Sequence, residues 1–333
     1  MNKILVTGGA GFIAHHIIED LLVNTNCKIV TVDSLDFSGN LNRLSDMLKN
    51  RQDLSNRIEY LYHDIRAEIN PTLAKQIGDV DYILHLAAGS HVDRSIKDPL
   101  SFVYTNVVGT CNILNFARTQ KNLKRFLYFS TDEIFGPALK DTNFSEYSRY
   151  NSSNPYSATK AGGEELAVAF HNTYNMPVYI THCMNVFGER QQAGAFIPLC
   201  IRKILNNEKL TIHSDVTLTK SPIRHYIYVK EVASAIRFLL ENNFTSNDSL
   251  IKVPKFNITG RDEIQILELS KTIAKLLNKE LQYEMTYTQR PGGDMGYSLS
   301  GNLLKSLGWE AKSNFSDHIE KVVNWYVDNK AWL

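Results

Sequence analysis

A glycine-rich turn between a strand and a helix constrains the fold of this chain more than any other feature. Lys3–Thr7 is an apolar, β-branched run, and Gly8-Gly9-Ala10-Gly11-Phe12-Ile13-Ala14 follows it directly. Glycines at 8 and 11 permit a tight turn and a close backbone approach to a pyrophosphate at the helix N-terminus. This junction therefore predicts a dinucleotide site. The residues expected to contact the cofactor there are Gly8, Gly11, Phe12 and Ile13.

Apolar runs and helical segments alternate through the first half of the chain. The strand candidates are Lys3–Thr7, Lys28–Asp33, Ile58–His63, Asp81–Leu86, Arg125–Ser130 and Val178–His182, and the helix candidates are Phe12–Val23, Leu41–Asn50, Pro99–Thr119 and Pro155–Tyr174. Nearly continuous apolar strands are typical of parallel sheets covered on both faces. The fold class predicted is therefore α/β, a Rossmann-type doubly wound parallel sheet.

The alternation weakens after residue 182, which indicates a smaller second lobe. The segments predicted there are helices at Pro198–Asn206, Tyr228–Asn242 and Glu263–Leu277, strands at Lys209–His213, Lys255–Ile258 and Gln282–Thr286, and two C-terminal helices. We expect Lys255–Ile258 to rejoin the main sheet. The predicted division is a dinucleotide-binding domain of residues 1–182 plus about 226–259, and an α/β lobe of about 183–225 plus 260–333.

Composition excludes several classes of partner. The 36 Lys and Arg residues balance 35 Asp and Glu residues, whereas nucleic acid or an anionic membrane would require a basic face. No apolar stretch approaches the ~20 residues that span a bilayer. The four cysteines form no CxxC pair, which argues against a disulfide frame or a metal site. With no signal peptide before the first strand, we expect a cytoplasmic protein.

An acidic residue ends the second predicted strand. Asp33 lies 22 residues beyond Gly11, where a carboxylate accepts hydrogen bonds from the adenosine ribose hydroxyls. A carboxylate there would repel the additional phosphate of NADP, so the spacing predicts NAD as the cofactor. The alternative is a surface aspartate that caps a loop.

A tyrosine and a lysine lie one helical turn apart in Tyr156-Ser157-Ala158-Thr159-Lys160. A free tyrosine, with a pKa of about 10, is a poor base near neutrality, and a nearby ammonium group stabilises its phenolate. The pair gains significance from Ser130-Thr131, which follow the fifth strand at the sheet edge where ligands bind in such folds.

With these residues the chain resembles the extended short-chain dehydrogenase/reductase superfamily, and within it the nucleoside-diphosphate-hexose 4,6-dehydratase family. The discriminating segment is Ser130-Thr131-Asp132-Glu133-Ile134-Phe135-Gly136, because related epimerases and reductases usually lack its Asp-Glu pair. The resemblance extends over nearly the whole chain. The other matching segments are Asp33–Asn40, His85–Ala88, Ser90–Ser95, Thr105–Thr110 and Arg290–Asp294.

The resemblance implies a division of chemical roles. Tyr156 would take the proton from the sugar O4 as C4 is oxidised, and Thr131 would orient that oxygen. Glu133 would then act as the base at C5, while Asp132 in its acid form would protonate the departing C6 hydroxyl. Lys160 would bind the nicotinamide ribose and lower the pKa of Tyr156.

The resemblance also implies contacts outside the catalytic group. The expected contacts are Asp64 and Ile65 with the adenine, Ala87 and Thr105 with the rest of NAD, and Ser90, Asn185, Arg224 and Arg290 with the nucleotide sugar. The smaller lobe would bind that substrate, and the helices 99–119 and 155–174 would form a homodimer interface. Two alternatives remain open: a 4-epimerase, which uses the same Tyr and Lys, and a non-catalytic NAD-binding protein of the same fold.

Four segments depart from the family's dTDP-glucose pattern. They are Gly89 within Ala87–His91, Met184–Gly188, Gly194-Ala195-Phe196 and Gly293. Three of these changes remove large polar side chains from segments expected to line the cleft. We hypothesise that the pocket admits a bulkier C2 substituent, so that a UDP-sugar such as UDP-GlcNAc is accepted as well as, or instead of, dTDP-glucose. The alternative is sequence drift without a change of substrate.

Overall fold

The strands of the computed structural model follow the predicted alternation, and the structure describes residues 3–138, 142–244, 253–287, 296 and 298–333. In chain order the described strands are β1 (Lys3–Thr7), β2 (Lys28–Asp33), β3 (Ile58–Tyr62), β4 (Tyr82–His85), β5 (Arg125–Thr131), β6 (Val178–Cys183), β7 (Asn185–Phe187), β8 (Leu210–His213), β9 (Ile223–Tyr228), β10 (Lys255–Ile258), β11 (Asp262–Gln265) and β12 (Tyr283–Thr286).

Helices cover both faces of the main sheet and build most of the second lobe. They are α1 (Phe12–Asn24), α2 (Asn42–Leu48), α3 (Gln52–Ser55), α4 (Pro71–Ile77), α5 (Val92–Lys97), α6 (Pro99–Val103), α7 (Gly109–Ala117), α8 (Pro155–Tyr174), α9 (Phe196–Leu205), α10 (Val229–Glu241), α11 (Ile266–Leu276), α12 (Asn302–Ser306) and α13 (Ser316–Asp328). Within the described ranges, no helix combines the length and the apolar character needed to cross a membrane.

Seven strands form one parallel sheet in the order β10-β6-β5-β4-β1-β2-β3. Strand β1 lies in the interior of this sheet, between β4 and β2, and is buried on both faces. Ile4 and Val6 pack in the core under α1 and α10, while Leu5 packs in the core under α7 and α8. The predicted Rossmann-type α/β fold is confirmed. The expectation that Lys255–Ile258 rejoins this sheet is also confirmed, because β10 pairs with β6.

The segment predicted to be helical, Pro99–Thr119, is helical from Pro99 to Ala117, but it is not a regular α-helix throughout. A π-helical turn at Tyr104–Val108 separates α6 from α7. This turn places Asn106 in a buried position, where its side chain accepts a hydrogen bond from the Gly89 amide and donates to the Gly89 carbonyl and the Thr159 hydroxyl. These three bonds join the helix to the loop after β4 and to α8, and a regular helix pattern in the sequence does not reveal them.

The second lobe contains strands that the sequence pattern did not predict. The predicted helix Glu263–Leu277 begins only at Ile266, because Asp262–Gln265 pairs antiparallel with β9 as strand β11. Strand β9 also pairs with β7, so these three short strands form a sheet of their own, and β8 pairs with β12 in another. Helices α9, α11 and α13 pack against these strands in a separate core.

A buried charge network fixes helix α8 to the sheet. Glu164 has no exposed side-chain surface and binds Nζ of Lys255 on β10 at 2.8 Å and Nε2 of His182 on β6 at 3.2 Å. The hydroxyl of Tyr150 donates to the same carboxylate. A buried carboxylate is tolerated only when it is paired in this way. The network therefore holds α8 against the sheet edge formed by β6 and β10.

Replacing Glu164 with Gln is expected to destabilise the protein most at neutral pH. Burial alone would raise the pKa of Glu164, but His182 and Lys255 outweigh burial and hold it well below its usual range. A carboxylate with a depressed pKa contributes stability above its unfolded pKa and loses that contribution as the pH falls through the folded pKa. We expect Glu164→Gln to lower the free energy of unfolding by about 3 kcal/mol at pH 7 and progressively less below pH ~4.

Urea unfolding at pH 7 and pH 3.5 measures this difference. Glu165→Gln is the matched control, because Glu165 is the next residue on α8 and its side chain is exposed. A Glu164→Gln deficit of the same size at both pH values would contradict the account.

Candidate active site

One cleft opens where the carboxyl ends of β1, β2, β4, β5 and β6 meet, with a volume of about 470 Å³. Parallel strands present their carboxyl ends at one sheet edge, which is where ligands bind in open α/β sheets. The residues predicted from the sequence that line this cleft are Gly8, Gly11, Phe12, Ile13, Asp33, Asp64, Ile65, Ala87, Ser90, Thr105, Thr131, Asp132, Glu133, Tyr156, Lys160 and Asn185.

The glycine turn forms the floor of the cleft. Gly8 has a φ of 75°, and a Cβ there would lie 2.8 Å from the Ala87 amide nitrogen, so the turn requires glycine at this position. The amide of Gly11 donates to the Gly8 carbonyl at 2.9 Å, and α1 begins at the next residue. The amide groups of this helix N-terminus are thus available for a pyrophosphate, and the cradle fits the dinucleotide that the sequence predicts.

Asp33 ends β2 beside this turn. Its Oδ2 accepts a hydrogen bond from the Ala10 amide at 3.0 Å, and its Oδ1 accepts one from the Leu35 amide at 2.8 Å. Burial raises the pKa of the carboxyl group, and these two backbone bonds oppose that effect. Each carboxylate oxygen keeps acceptor capacity beyond these bonds, so the group can also accept from a ribose hydroxyl.

Asp64 and Ile65 follow β3 at the far end of the cleft. The guanidinium of Arg66 binds the Asp64 carboxylate, with Nε 2.8 Å from Oδ2 and 3.0 Å from Oδ1. This hydrogen-bonded pair lowers the pKa of Asp64. Ile65 is buried beneath it and offers an apolar surface that suits a flat base.

A buried polar chain positions Ala87 over the turn. The Ala87 amide donates to Oγ1 of Thr7 at 3.1 Å, and that hydroxyl lies 2.7 Å from Nδ1 of His85. His85 Nε2 lies 3.0 Å from Oγ1 of Thr110, whose own hydroxyl proton goes to the Asn106 carbonyl. Burial lowers the pKa of His85 to about 3, so this histidine is neutral and structural.

Thr131 is the last residue of β5, and Asp132 and Glu133 begin a 3₁₀ turn directly after it. The hydroxyl of Thr131 donates to Oδ1 of Asp132 at 3.1 Å, and the Glu133 amide donates to the same hydroxyl at 3.4 Å. Two carboxyl groups therefore occupy one wall of the cleft, held by the hydroxyl that precedes them.

Tyr156 and Lys160 face that wall from one side of α8. The ammonium group of Lys160 donates to the Phe129 carbonyl at 2.6 Å and lies 4.4 Å from the centre of the Tyr128 ring. Tyr156 lines the same cleft as Thr131, Asp132 and Glu133. The helix thus brings a phenol and a buried cation to the strand end that carries the carboxyl pair.

Burial shifts both groups of this pair away from their charged forms. It lowers the pKa of Lys160 to about 7, and the negative charge of Glu164 opposes that shift. Burial also raises the pKa of Tyr156, as does the neighbouring Glu133 carboxylate, while Thr131 lowers it. A tyrosine in this setting needs additional positive charge close by before it can serve as a base.

Asn154, which is not among the residues predicted from the sequence, joins the helix to the carboxyl pair. Its Oδ1 caps α8 by accepting from the Ser157 amide at 2.9 Å, while its Nδ2 donates to Oε2 of Glu133 at 3.1 Å. The sequence carries a signal for the first role, because Asn154-Pro155 with a serine at 157 is an N-cap pattern. No sequence signal predicts the second role.

The four predicted substrate-binding residues differ in where the structure places them. Ser90 and Asn185 line the cleft, and Nδ2 of Asn185 donates to the His225 carbonyl at 3.3 Å. Arg224 lies on β9 outside the cleft-lining residues of the described chain, and its Nη1 donates to the Ile223 carbonyl at 3.0 Å. Arg290 lies outside the described residues, as does Gly293, so their roles stay predictions.

A Rossmann-type sheet with a glycine turn, and a Tyr–Lys pair on one helix face at its edge, defines the class of extended short-chain dehydrogenase/reductases. Within that class the chain belongs to the GDP-mannose 4,6 dehydratase family, whose model matches residues 5–322. It is 33% identical to the dTDP-glucose 4,6-dehydratase of Salmonella typhimurium, over 99% of this chain and 94% of that protein.

Solved structures agree with this membership. The dTDP-glucose 4,6-dehydratase of Streptomyces venezuelae, solved with NAD bound, superposes with a TM-score of 0.88 at 30% identity, covering 99% of this chain and 98% of that one. A UDP-glucuronic acid 4-epimerase from Bacillus cereus superposes with a TM-score of 0.85 at 26% identity, covering 98% and 99% of the two chains. The fold is thus shared by both kinds of enzyme, and the site residues must separate them.

Proposed function

We propose that the protein is an NAD-dependent nucleotide-sugar 4,6-dehydratase, a hydro-lyase that converts an NDP-hexose to the NDP-4-keto-6-deoxy sugar. The observation that carries this proposal is the position of Asp132 and Glu133 opposite Tyr156 and Lys160 in one cleft. Oxidation at C4 by NAD needs only the Tyr–Lys pair from the protein. Removal of water from C5 and C6 needs an acid and a base in addition, and the carboxyl pair supplies them.

The cradle at Gly8 and Gly11, the carboxylate of Asp33 and the apolar surface of Ile65 are proposed to hold NAD. When bound, NAD supplies an acceptor for the C4 hydride and a donor of that hydride to C6. Thr105 and Ala87, which also line the cleft, are proposed to complete this site. The carboxylate of Asp33 disfavours a 2′-phosphate, so NADP is expected to bind weakly.

Oxidation begins when Tyr156 takes the proton from O4 of the sugar. Because burial raises the pKa of this phenol, the reaction depends on the Lys160 ammonium one helical turn away to stabilise the phenolate. The Thr131 hydroxyl, which lines the cleft with the phenol, is proposed to orient O4. We assign Tyr156 the role of base and Thr131 and Lys160 the orienting and electrostatic roles.

The 4-keto group acidifies the proton at C5, and the carboxyl pair then completes the elimination. Glu133, held by the Asn154 amide, takes the C5 proton as a carboxylate. Asp132, in its acid form, gives a proton to the C6 hydroxyl, which leaves as water. The two neighbours serve opposite roles because each is bound to a different partner, Glu133 to Asn154 and Asp132 to Thr131.

We further infer the assembly, the division of the chain and its location. A homodimer through α6, α7 and α8 is supported by apolar side chains left exposed on and beside α6, among them Leu100, Val103 and Tyr104.

The nucleotide sugar is proposed to lie between the domain of residues 1–182 plus about 226–259 and the lobe of about 183–225 plus 260–333. The cytoplasm is the compartment consistent with four free cysteines.

Turnover in deuterated water with a substrate labelled by deuterium at C4 tests the proposed reaction. We expect the label at C6 and one solvent deuterium at C5 of a 4-keto-6-deoxy product, read by mass spectrometry and NMR. A product that keeps its C6 hydroxyl would identify a 4-epimerase. Bound NAD with no turnover of any nucleotide sugar would identify a non-catalytic protein.

Two variants serve as controls in the same experiment. Glu133→Gln is expected to lower the rate of product formation by roughly 10²- to 10⁴-fold, because it removes the base at C5. Glu165→Gln changes an exposed glutamate of α8 and is expected to leave the rate unchanged.

We also propose which class of nucleotide sugar the cleft accepts. Gly89 lines the cleft beside Ser90, and a Cβ at this position would lie 3.2 Å from the Phe102 ring, so any larger side chain would reach into the cleft or displace that ring. Ala195 and Phe196 also line the cleft, whereas Gly194 does not. These positions support a site with room for an N-acetyl group at C2, as in UDP-GlcNAc.

Comparing kcat/KM for dTDP-glucose, UDP-glucose and UDP-GlcNAc tests this pocket. We expect UDP-GlcNAc to react within tenfold of the best substrate, and Gly89→Glu to lower its kcat/KM more than that of dTDP-glucose. A preference of a hundredfold or more for dTDP-glucose, a difference of about 2.7 kcal/mol in transition-state binding, would contradict the enlarged pocket.

A further inference from the structure

The loops on either side of the glycine turn touch each other across it. Because β1 lies between β4 and β2 in the sheet, the turn at Gly8–Gly11 lies between the loop that follows β2 and the segment that follows β4. Phe37 belongs to the first and Arg94, on α5, to the second. The guanidinium carbon of Arg94 lies 4.0 Å from the centre of the Phe37 ring. Both side chains line the cleft together with the turn.

The loop that carries Phe37 is firmly held at its base. The amide of Asn40 donates to the Ala10 carbonyl at 3.0 Å. The side chain of the buried Arg43 joins the glycine turn to this loop, because its Nη1 donates to the Ala10 carbonyl at 2.8 Å and to the Ser38 carbonyl at 2.6 Å. Phe37 at the tip is nevertheless 58% exposed. Burial in the protein core therefore does not account for an aromatic ring at this position.

Two arginines line the cleft among the described residues, and they are engaged differently. The guanidinium of Arg66 is committed to the Asp64 carboxylate. The guanidinium of Arg94 instead lies over an aromatic ring, an arrangement that leaves its N–H groups available to donate. A ring-supported guanidinium with available donors is suited to a phosphate group.

We propose that Phe37 and Arg94 form a clasp over the dinucleotide, in which Arg94 binds the pyrophosphate from the side opposite the α1 N-terminus and Phe37 holds the guanidinium in place. This inference rests on the proposed function for the identity of the bound dinucleotide. The clasp would keep the reduced cofactor in the cleft. The cofactor molecule that accepts the hydride from C4 must stay bound until it returns the hydride to C6, because its release between these steps would leave the reaction incomplete.

The rates at which NAD and NADH leave the purified protein test the clasp, measured by stopped-flow displacement with excess unlabelled dinucleotide. We expect Arg94→Gln to raise both rates about tenfold or more, because it removes a charge-assisted contact. Arg94→Lys keeps the charge and is expected to have a smaller effect. Phe37→Ala should raise the rates about threefold, whereas Phe37→Tyr, which keeps the ring, should match the unaltered protein.

Two further readouts separate a clasp from a general loss of structure. If Phe37 and Arg94 act as one unit, the double variant should release NAD no faster than Arg94→Gln alone. Added salt should speed release from the unaltered protein more than from Arg94→Gln, because the contact is ionic. Arg118→Gln is the matched control, since Arg118 lies over the Tyr174 ring at 4.2 Å outside the cleft, and its release rates should not change.

The outcomes distinguish this inference from the function on which it rests. A protein that binds no dinucleotide and forms no 4-keto product would overturn the proposed function. A protein that does both, but whose Arg94→Gln and Phe37→Ala variants release NAD at the unaltered rate, would overturn the clasp alone. Sustained turnover by Arg94→Gln only when free NAD is supplied would support it.

Discussion

The hydrogen bond from the Lys160 ammonium to the Phe129 carbonyl, 2.6 Å long, is the interaction on which the catalytic side of the cleft depends. It joins helix α8 to strand β5 two residues before Thr131, and the Tyr128 hydroxyl adds a second bond by donating to the Lys160 carbonyl at 2.9 Å. One helical turn earlier, Tyr156 is thereby fixed opposite the carboxyl pair. Burial of this side chain lowers the pKa of Lys160 to about 7. The buried carboxylate of Glu164, one turn further along α8, offsets part of that effect.

The order of strands in the sheet separates the residues proposed to bind the cofactor from those proposed to act on the sugar. Strands β1, β2 and β3 end at the glycine turn, Asp33 and Asp64, which together suit the adenosine and pyrophosphate of a dinucleotide. Strand β5 ends at the carboxyl pair, which suits acid–base chemistry on a sugar, and β6 ends two residues before Asn185, which also lines the cleft. Strand β4 lies between the two groups, and its loop carries Ala87 towards one and Ser90 towards the other. A single parallel sheet therefore sets the spacing between cofactor and substrate.

Local patterns in the sequence predict those features that depend on neighbouring residues. The glycine turn, the buried parallel strands and the placement of Tyr156 and Lys160 on one helix face each follow from a short segment. Features that depend on distant partners were not predicted. The π-helical turn exists because Asn106 binds Gly89 and Thr159, and the strand at Asp262–Gln265 exists because β9 lies beside it. Likewise, no local pattern predicts that Asn154 contacts Glu133 or that Arg94 lies over the Phe37 ring.

In the proposed reaction, the Lys160 ammonium makes the Tyr156 phenol acidic enough to serve as the base. The most direct test is the pH dependence of kcat/KM for the NAD-loaded protein and its Lys160→Met variant. The account predicts that activity rises with pH through an apparent pKa well below 10 in the unaltered protein, and that this pKa moves up by about one to three units in Lys160→Met. An unshifted apparent pKa in the variant would contradict the account, because Tyr156 would then be activated without Lys160.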